Sequence, residues 1–335
     1  MPSLRVLLAV VAVVLAATAL YGADDPPAWA YLTTPAAFER PKDPTAKQRV
    51  EGSARAYTLT EIADLFAPPD WFPAEHAAMP DPVGRGRRPG VQACASCHLP
   101  NGRGVPSSAM LAGLPADYIT AQLNDFALGN RLPAIGNVNI DMGSIARALT
   151  PAESRAAATY FSRLRPRPYL TVTEAAMVPA THVVEGDLLI PATDGQTEPL
   201  GARIVEVPAS PARARLLDPH ATFIAYVPMG SVRRGRNLVR TGGAAFVGGK
   251  TVAGKTTECS KCHGVNLHGM PAKPDGTPLT PSIVGRSPGY TVRQLYDIQR
   301  ATRKGASISD MKNVVAPLTM TDMIDIAAYL GSLMP

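Results

Sequence analysis

Aromatic residues are scarce in this 335-residue chain, at 6%, and only two are Trp. Large rings alone therefore leave part of the interior to be filled by something else. Charge is thin too, at 18%, and the basic residues are scattered apart from Arg85-Gly86-Arg87-Arg88 and Arg233-Arg234-Gly235-Arg236. The formal charge of +6 has no continuous basic stripe behind it, so it gives no nucleic-acid signal. Beyond the first twenty or so residues no stretch is apolar enough to span a bilayer. Cysteine is limited to four residues. What the chain does have is Pro (33) and Gly (28), which predict many turns and long ordered loops. A hydrophobic share of 46% excludes a wholly disordered chain, and the length suits two domains with a core each.

The N-terminus carries one Arg and then an apolar run, Val6 to Leu20, about the length of a signal-peptide core and short for a membrane span. Ala17-Thr18-Ala19 or Ala23 would serve as cleavage sites. Residues 1–23 are therefore expected to be a signal peptide or an N-terminal anchor. Either way the body of the protein is expected to be periplasmic, free or tethered at the outer face of the inner membrane.

All four cysteines fall in two copies of one pattern, Cys94-Ala-Ser-Cys97-His98 and Cys259-Ser-Lys-Cys262-His263, 165 positions apart. A disulfide between residues three apart closes too short a loop to stabilise much. Paired Cys-x-x-Cys zinc sites lie roughly 15–20 residues apart. Neither accounts for a His after each second Cys. Cys-x-x-Cys-His is the attachment signal for c-type haem. Cysteines three apart on a helical turn present both sulfurs to one side, where they can bond the two vinyl groups of a porphyrin edge. The adjoining His then lies under the iron. Two such motifs call for two covalently bound haem c groups, whose four or so propionates would offset most of the positive charge.

The motifs belong to a longer repeat. "LAGLPADYITAQLNDF" from Leu111 matches "IVGRSPGYTVRQLYDI" from Ile283, with Tyr118 on Tyr290 and Gln122-Leu123 on Gln294-Leu295. Apolar spacing of three and four predicts a helix in each. "DMGSIARALTPAESRAAATYFSRL" from Asp141 then aligns without a gap to "DMKNVVAPLTMTDMIDIAAYLGSL" from Asp310, superposing Met142 on Met311 and Tyr160 on Tyr329. Thr150-Pro151-Ala152-Glu153 reads as a capping box opening a final helix, and Thr319-Met320-Thr321-Asp322 as a weaker one.

Helix with Cys-x-x-Cys-His, loop, helix, loop with Met, final helix: each half resembles the class I cytochrome c fold, and the whole is similar to a diheme class I cytochrome c. The resemblance covers about residues 84–165 and 229–334. It implies a mainly α fold with two haem-wrapping helical domains, 84–168 and 229–335. A Pro-rich extension, 24–83, precedes them, and a connector with short strands, 169–228, joins them. It implies that Cys94, Cys97, Cys259 and Cys262 bind the two haems. It also implies that His98 and Met142 ligate the first iron, and His263 and Met311 the second. The segment from Ser231 fits the family's N-terminal helix, which crosses the last one. The proximal His ring in this family commonly donates to a Pro carbonyl. Pro281 fits that role, whereas its counterpart is Ala109 and the nearest Pro is Pro106, so the acceptor for His98 stays open.

The implied function is electron transfer between a dehydrogenase or quinol-oxidising complex and a terminal acceptor such as an oxidase, with no catalytic residue. A diheme peroxidase-like oxidoreductase is the alternative, and needs one open iron. A redox-sensing or assembly module is a third reading. Met110 aligns with Ser282, which cannot ligate, and thioethers more often fill cores. His76 and His268 read as surface or capping residues, and Tyr118 and Tyr290 as packing residues with hydroxyl hydrogen bonds, with propionate contact as the other reading. "TLTEIADLF" from Thr58 is expected to be helical in an extension that wraps the first domain through Trp71 and Phe72. The stretches "GARIVEVP" and "ATFIAYVP" predict strands in the connector.

Overall fold

The computed structural model describes residues 25–33, 43–133, 142–184, 187–272, 274, 279–305 and 308–335. The expected export segment lies outside them. Among the described residues no single helix is long and apolar enough to cross a membrane.

In the first half the Cys-x-x-Cys-His motif folds into a single helical turn, α1 (Ala95–His98). It is followed by α2 (Ala116–Ala127), α3 (Met142–Ala148) and α4 (Pro151–Arg163). Helix α4 starts where it should. The Thr150 hydroxyl accepts from the Glu153 amide at 3.2 Å, the Glu153 carboxylate accepts from the Thr150 amide at 2.7 Å, and Pro151 takes the first helical position. Its apolar face buries Ala157, Ala158 and Phe161 against Val83, Leu114 and Ile119. Fully burying the larger of these side chains, Phe161, Val83, Leu114 and Ile119, stabilises by about 1.5–3 kcal/mol each.

The described residues of the connector form mainly strands. They are β1 (Leu170–Glu174), β2 (Met177–Pro179), β3 (Thr181–Val184), β4 (Leu188–Pro191), β5 (Thr197–Pro199), β6 (Val205–Pro208) and β7 (Phe223–Val227). In the main sheet β7 is central, parallel to β1 and antiparallel to β6, with Leu170 opposite Phe223 and Val207 opposite Ile224. Strand β6 is buried along its length. Two-stranded ladders, β2 with β5 and β3 with β4, flank it.

The second half begins with α5 (Ser231–Thr241), a hairpin of β8 (Ala245–Val247) and β9 (Lys250–Val252), and then the second motif, α6 (Ser260–His263). Helices α7 (Pro288–Gln299), α8 (Ser309–Val315) and α9 (Met320–Gly331) follow. Helix α5 crosses α9 at Gly235, where any Cβ would collide with the Asp325 carbonyl and come within 2.9 Å of Tyr329 Cβ. The ion pair Arg234–Asp325, at 2.7 Å, locks the crossing. The capping box read as weak is complete, because Asp322 accepts from the Thr319 amide at 2.8 Å and donates its own amide to Thr319 Oγ1 at 3.2 Å. The first half replaces α5 with one turn, Asp81–Gly84.

The N-terminal extension touches all three other parts. Its helix is one capped turn, Leu59–Ile62, shorter than the apolar spacing suggests. Against the first half it places Asp64 on Arg88 at 2.8 Å. Trp71, however, anchors on the connector, with Nε1 donating to the Leu216 carbonyl at 2.8 Å, and Phe72 stacks on His220 at 4.1 Å. Tyr31 enters the core of the second half and donates its hydroxyl to Asp297 at 2.6 Å.

Candidate functional site

Both motif histidines open onto one cavity of about 650 Å³ that runs between the two halves. The short helices α1 and α6 hold them in matching surroundings. His98 Nδ1 lies 2.8 Å from the Ala109 carbonyl, and His263 Nδ1 lies 2.9 Å from the Pro281 carbonyl. A carbonyl only accepts, so Nδ1 carries the proton and the lone pair sits on Nε2. Burial holds both rings below the ordinary imidazole range, which keeps them neutral. A neutral ring with its outer nitrogen fixed is a prepared metal ligand. The acceptor for His98 is thus Ala109, the residue in register with Pro281; the backbone oxygen makes the bond, and the proline ring is dispensable. One residue earlier the repeat holds again. Ser108 Oγ donates to the Cys97 carbonyl and Thr280 Oγ1 to the Cys262 carbonyl, both at 2.7 Å.

The four cysteines are free thiols. Cys97, Cys259 and Cys262 face the cavity, and Cys94 lies beside it against the core of the first half. Burial pushes the Cys94 thiol up to about 12 and that of Cys259 to about 11. Among the described residues no three His, Cys, Asp or Glu gather as a metal cage.

Met142 and Met311 both line the cavity. They sit on the first turns of α3 and α8 rather than in loops. Met110 is absent from the cavity wall; it is buried with Tyr169 and Phe223 of the connector. Met270 also lines the cavity, but its backbone pairs with Thr280 in the loop that supplies the His263 acceptor, which puts it on the histidine side. His76 is better packed than a surface residue, pairing with Asp70 at 3.1 Å behind Tyr160. His268 and His182 are exposed.

Two arginines that single-motif reasoning passes over hold the halves together. Arg131 and Arg303 face each other in an antiparallel bridge, each reaching into the opposite half. Arg131 donates to the Tyr290 hydroxyl at 3.0 Å and to Gln294 at 2.7 Å; Arg303 donates to the Tyr118 hydroxyl at 3.2 Å and to Gln122 at 2.9 Å. The two positions are separated by the same interval as Tyr118 and Tyr290, so the repeat carried a signal for them. Both arginines line the cavity, neither has a carboxylate ion pair among the described residues, and Arg303 Nε is buried without a hydrogen-bond partner. Burial opposes ionisation of Tyr290, yet the charges of Arg131, Arg303 and Arg286 outweigh it and hold its hydroxyl below the usual phenol range. This wall of the cavity is therefore strongly electropositive and suited to anionic groups.

The connector adds a carboxylate that the sequence reading did not single out. Glu206, on β6, is buried at the cavity wall, where it accepts from the Ser287 hydroxyl at 2.8 Å and from the Gly289 amide at the start of α7. Burial pushes its carboxyl up to about 7, against the opposing effects of the Ser287 hydrogen bond and the Arg293 charge.

Residues 246–334 match the Cytochrome c family model. A thiosulfate dehydrogenase electron acceptor from Thiomonas intermedia (strain K12) is 38% identical over 115 residues, covering 33% of this chain and 45% of that protein. Cytochrome c4 from Stutzerimonas stutzeri is 34% identical over 98 residues, 27% of this chain and 44% of that protein. The chain thus spans less than half the length of these curated relatives. The structure of Acidithiobacillus ferrooxidans cytochrome c4 aligns with 72% of this chain and 98% of that one, at 22% identity and a TM-score of 0.43. The family match falls in the second half, and the first half repeats that half's last three helices, its His–carbonyl pair and its Met position.

Proposed function

We propose that this chain is a diheme cytochrome c that carries electrons in the periplasm, with each iron held between His and Met. The observation that carries this reading is the mirrored pair of neutral, oriented imidazoles, His98 on Ala109 and His263 on Pro281, each next to two free thiols and opening on the cavity that Met142 and Met311 also line. The residues fit the group. Cys94 and Cys97 would tether one haem and Cys259 and Cys262 the other, and the buried guanidiniums of Arg131 and Arg303 would meet the propionates. When bound, haem supplies a one-electron ferric–ferrous couple.

The chain's part is to fix and seal that couple. Ala109 and Pro281 hold the imidazoles in one orientation, and the Ser108 and Thr280 hydroxyls tie the motif backbone to the same loops. Met142 and Met311 would supply a thioether to each iron, which would leave no position open to substrate and would favour the reduced state. The cross-domain bonds of Arg131 and Arg303 fix the two halves at one separation. The relatives' names point to a dehydrogenase as one partner, and we infer that this chain accepts electrons from such an enzyme and passes them on. An export segment within residues 1–23 would place it in the periplasm, cleaved or tethered.

Substitution tests the ligand set. Met142→Ser and Met311→Ser should each lower one reduction potential, leave the other, and open one iron to cyanide. If Met142→Ser leaves both potentials and cyanide resistance unchanged, that ligand assignment is wrong.

A further inference from the structure

One stretch of this chain carries a local surplus of positive charge. Between Ser231 and Lys261 there are seven Lys or Arg and a single acid, Glu258, a surplus equal to the +6 of the whole chain. Arg234 and Lys255 are paired with Asp325 and Asp322, and Arg240 donates to the Tyr329 hydroxyl and the Val265 carbonyl. Arg233, Arg236, Lys250 and Lys261 are exposed and, among the described residues, form no ion pair.

An exposed apolar patch belongs to the same segment. The β8–β9 hairpin turns through Gly248 and Gly249, both at positive φ, and every one of its residues is exposed. Phe246 is 75% and Val247 63% exposed, and Val265, two residues after His263, is 76% exposed. A two-stranded hairpin that packs neither face gains little by itself, and an apolar patch with a charged rim marks an interaction site.

The hairpin springs from the end of α5, and that end is bonded to the second motif. The Cys259 amide donates to Val239 at 3.0 Å and the Thr256 amide to Gly242 at 3.2 Å. Lys261 and Cys262 are exposed, whereas every residue from Cys94 to His98 is buried or half-buried. Before the first motif the described residues show only the tight Arg87–Val91 bridge, and the motif is covered there by the extension, with the Ala93 amide on the Leu65 carbonyl.

We propose that this face, the β8–β9 hairpin with Val265 and the basic residues of α5 and α6, docks an acidic electron-transfer protein, and that the chain exchanges electrons with it through the second motif. The inference rests on the carrier reading above. The occupant follows from charge: four exposed cations in the segment that carries the apolar hairpin favour a partner surface with both apolar and acidic residues. One electron crosses per encounter; the partner's centre is oxidised as the second iron is reduced, or the reverse, and no bond forms or breaks.

The test uses the holoprotein and a reduced, acidic plant-type [2Fe–2S] ferredoxin as probe, followed by stopped flow. The triple variant Arg236→Glu, Lys250→Glu, Lys261→Glu should slow reduction at least tenfold at low salt, and the difference should shrink as salt rises. The triple Arg163→Glu, Arg165→Glu, Arg167→Glu changes the net charge equally at another exposed site and should have little effect. Phe246→Ser with Val247→Ser should slow the reaction at high salt, where steering is screened. Equal slowing by both triples, or none by the first, overturns the proposal. So does salt-sensitive binding of the wild type to phosphatidylglycerol vesicles that the first triple abolishes while ferredoxin kinetics stay unchanged, or dimerisation that the Phe246/Val247 variant removes. A mediated redox titration separates this from failure of the carrier reading, because only the latter would leave the wild type without two reversible one-electron steps.

Discussion

Glu206 links the connector's architecture to a measurable pH dependence. Its carboxyl moves from an ordinary 4.5 to about 7 because β6 carries it into the protein. The folded chain therefore keeps this proton at pH values where the unfolded chain has lost it. Stability must fall as pH rises from about 4.5 to 7, and the cost is complete above 7. At 1.36 kcal/mol for each pH unit, the move corresponds to roughly 3 kcal/mol. Glu206→Gln keeps an oxygen to accept from Ser287 and Gly289 and removes the titration. Guanidinium unfolding of both proteins at pH 4.5 and pH 8.5 isolates the effect. The stability of the Gln variant minus that of wild type should rise by roughly 3 kcal/mol between the two pH values. Haem absorbance at each step reports whether the halves unfold together. A difference that is the same at both pH values would show that Glu206 is ionised in the folded protein at little cost, refuting the burial argument.

Other consequences are separate. Gly235→Ala should separate α5 from α9 and destabilise the second half by about 1–3 kcal/mol, read as a lower unfolding midpoint for that half alone. Ser108→Ala and Thr280→Val each remove one hydrogen bond to the motif backbone and should cost about 1 kcal/mol, whereas Pro281→Ala should leave the second potential unchanged because the accepting carbonyl persists. Arg131→Gln with Arg303→Gln takes two cations from the cavity wall. It should lower both potentials by roughly 1 kcal/mol, about 40 mV in a one-electron couple, as measured by mediated titration.

The repeated motifs, the aligned methionines and the capped final helices were legible because each depends on residues close in sequence. The register of the repeat was enough to place Ala109 opposite Pro281, but only the fold shows that a backbone oxygen, available from any residue, satisfies His98. The Arg131 and Arg303 contacts reach across the halves to partners about 160–180 residues away, and no local pattern announces that. Glu206 was invisible for a related reason. In sequence it is a polar residue in a short strand; only packing beneath α7 makes it a buried acid. Trp71 was read correctly as an anchor, but its target, the Leu216 carbonyl, is a neighbour the fold alone provides.

The most direct test is a spectrally monitored redox titration of the holoprotein. Two covalently bound haems should titrate as separate one-electron, low-spin couples, and the oxidised protein should show the weak long-wavelength absorption of a Met sulfur on ferric iron. A high-spin signal in the resting protein, or one haem per chain, would contradict the account.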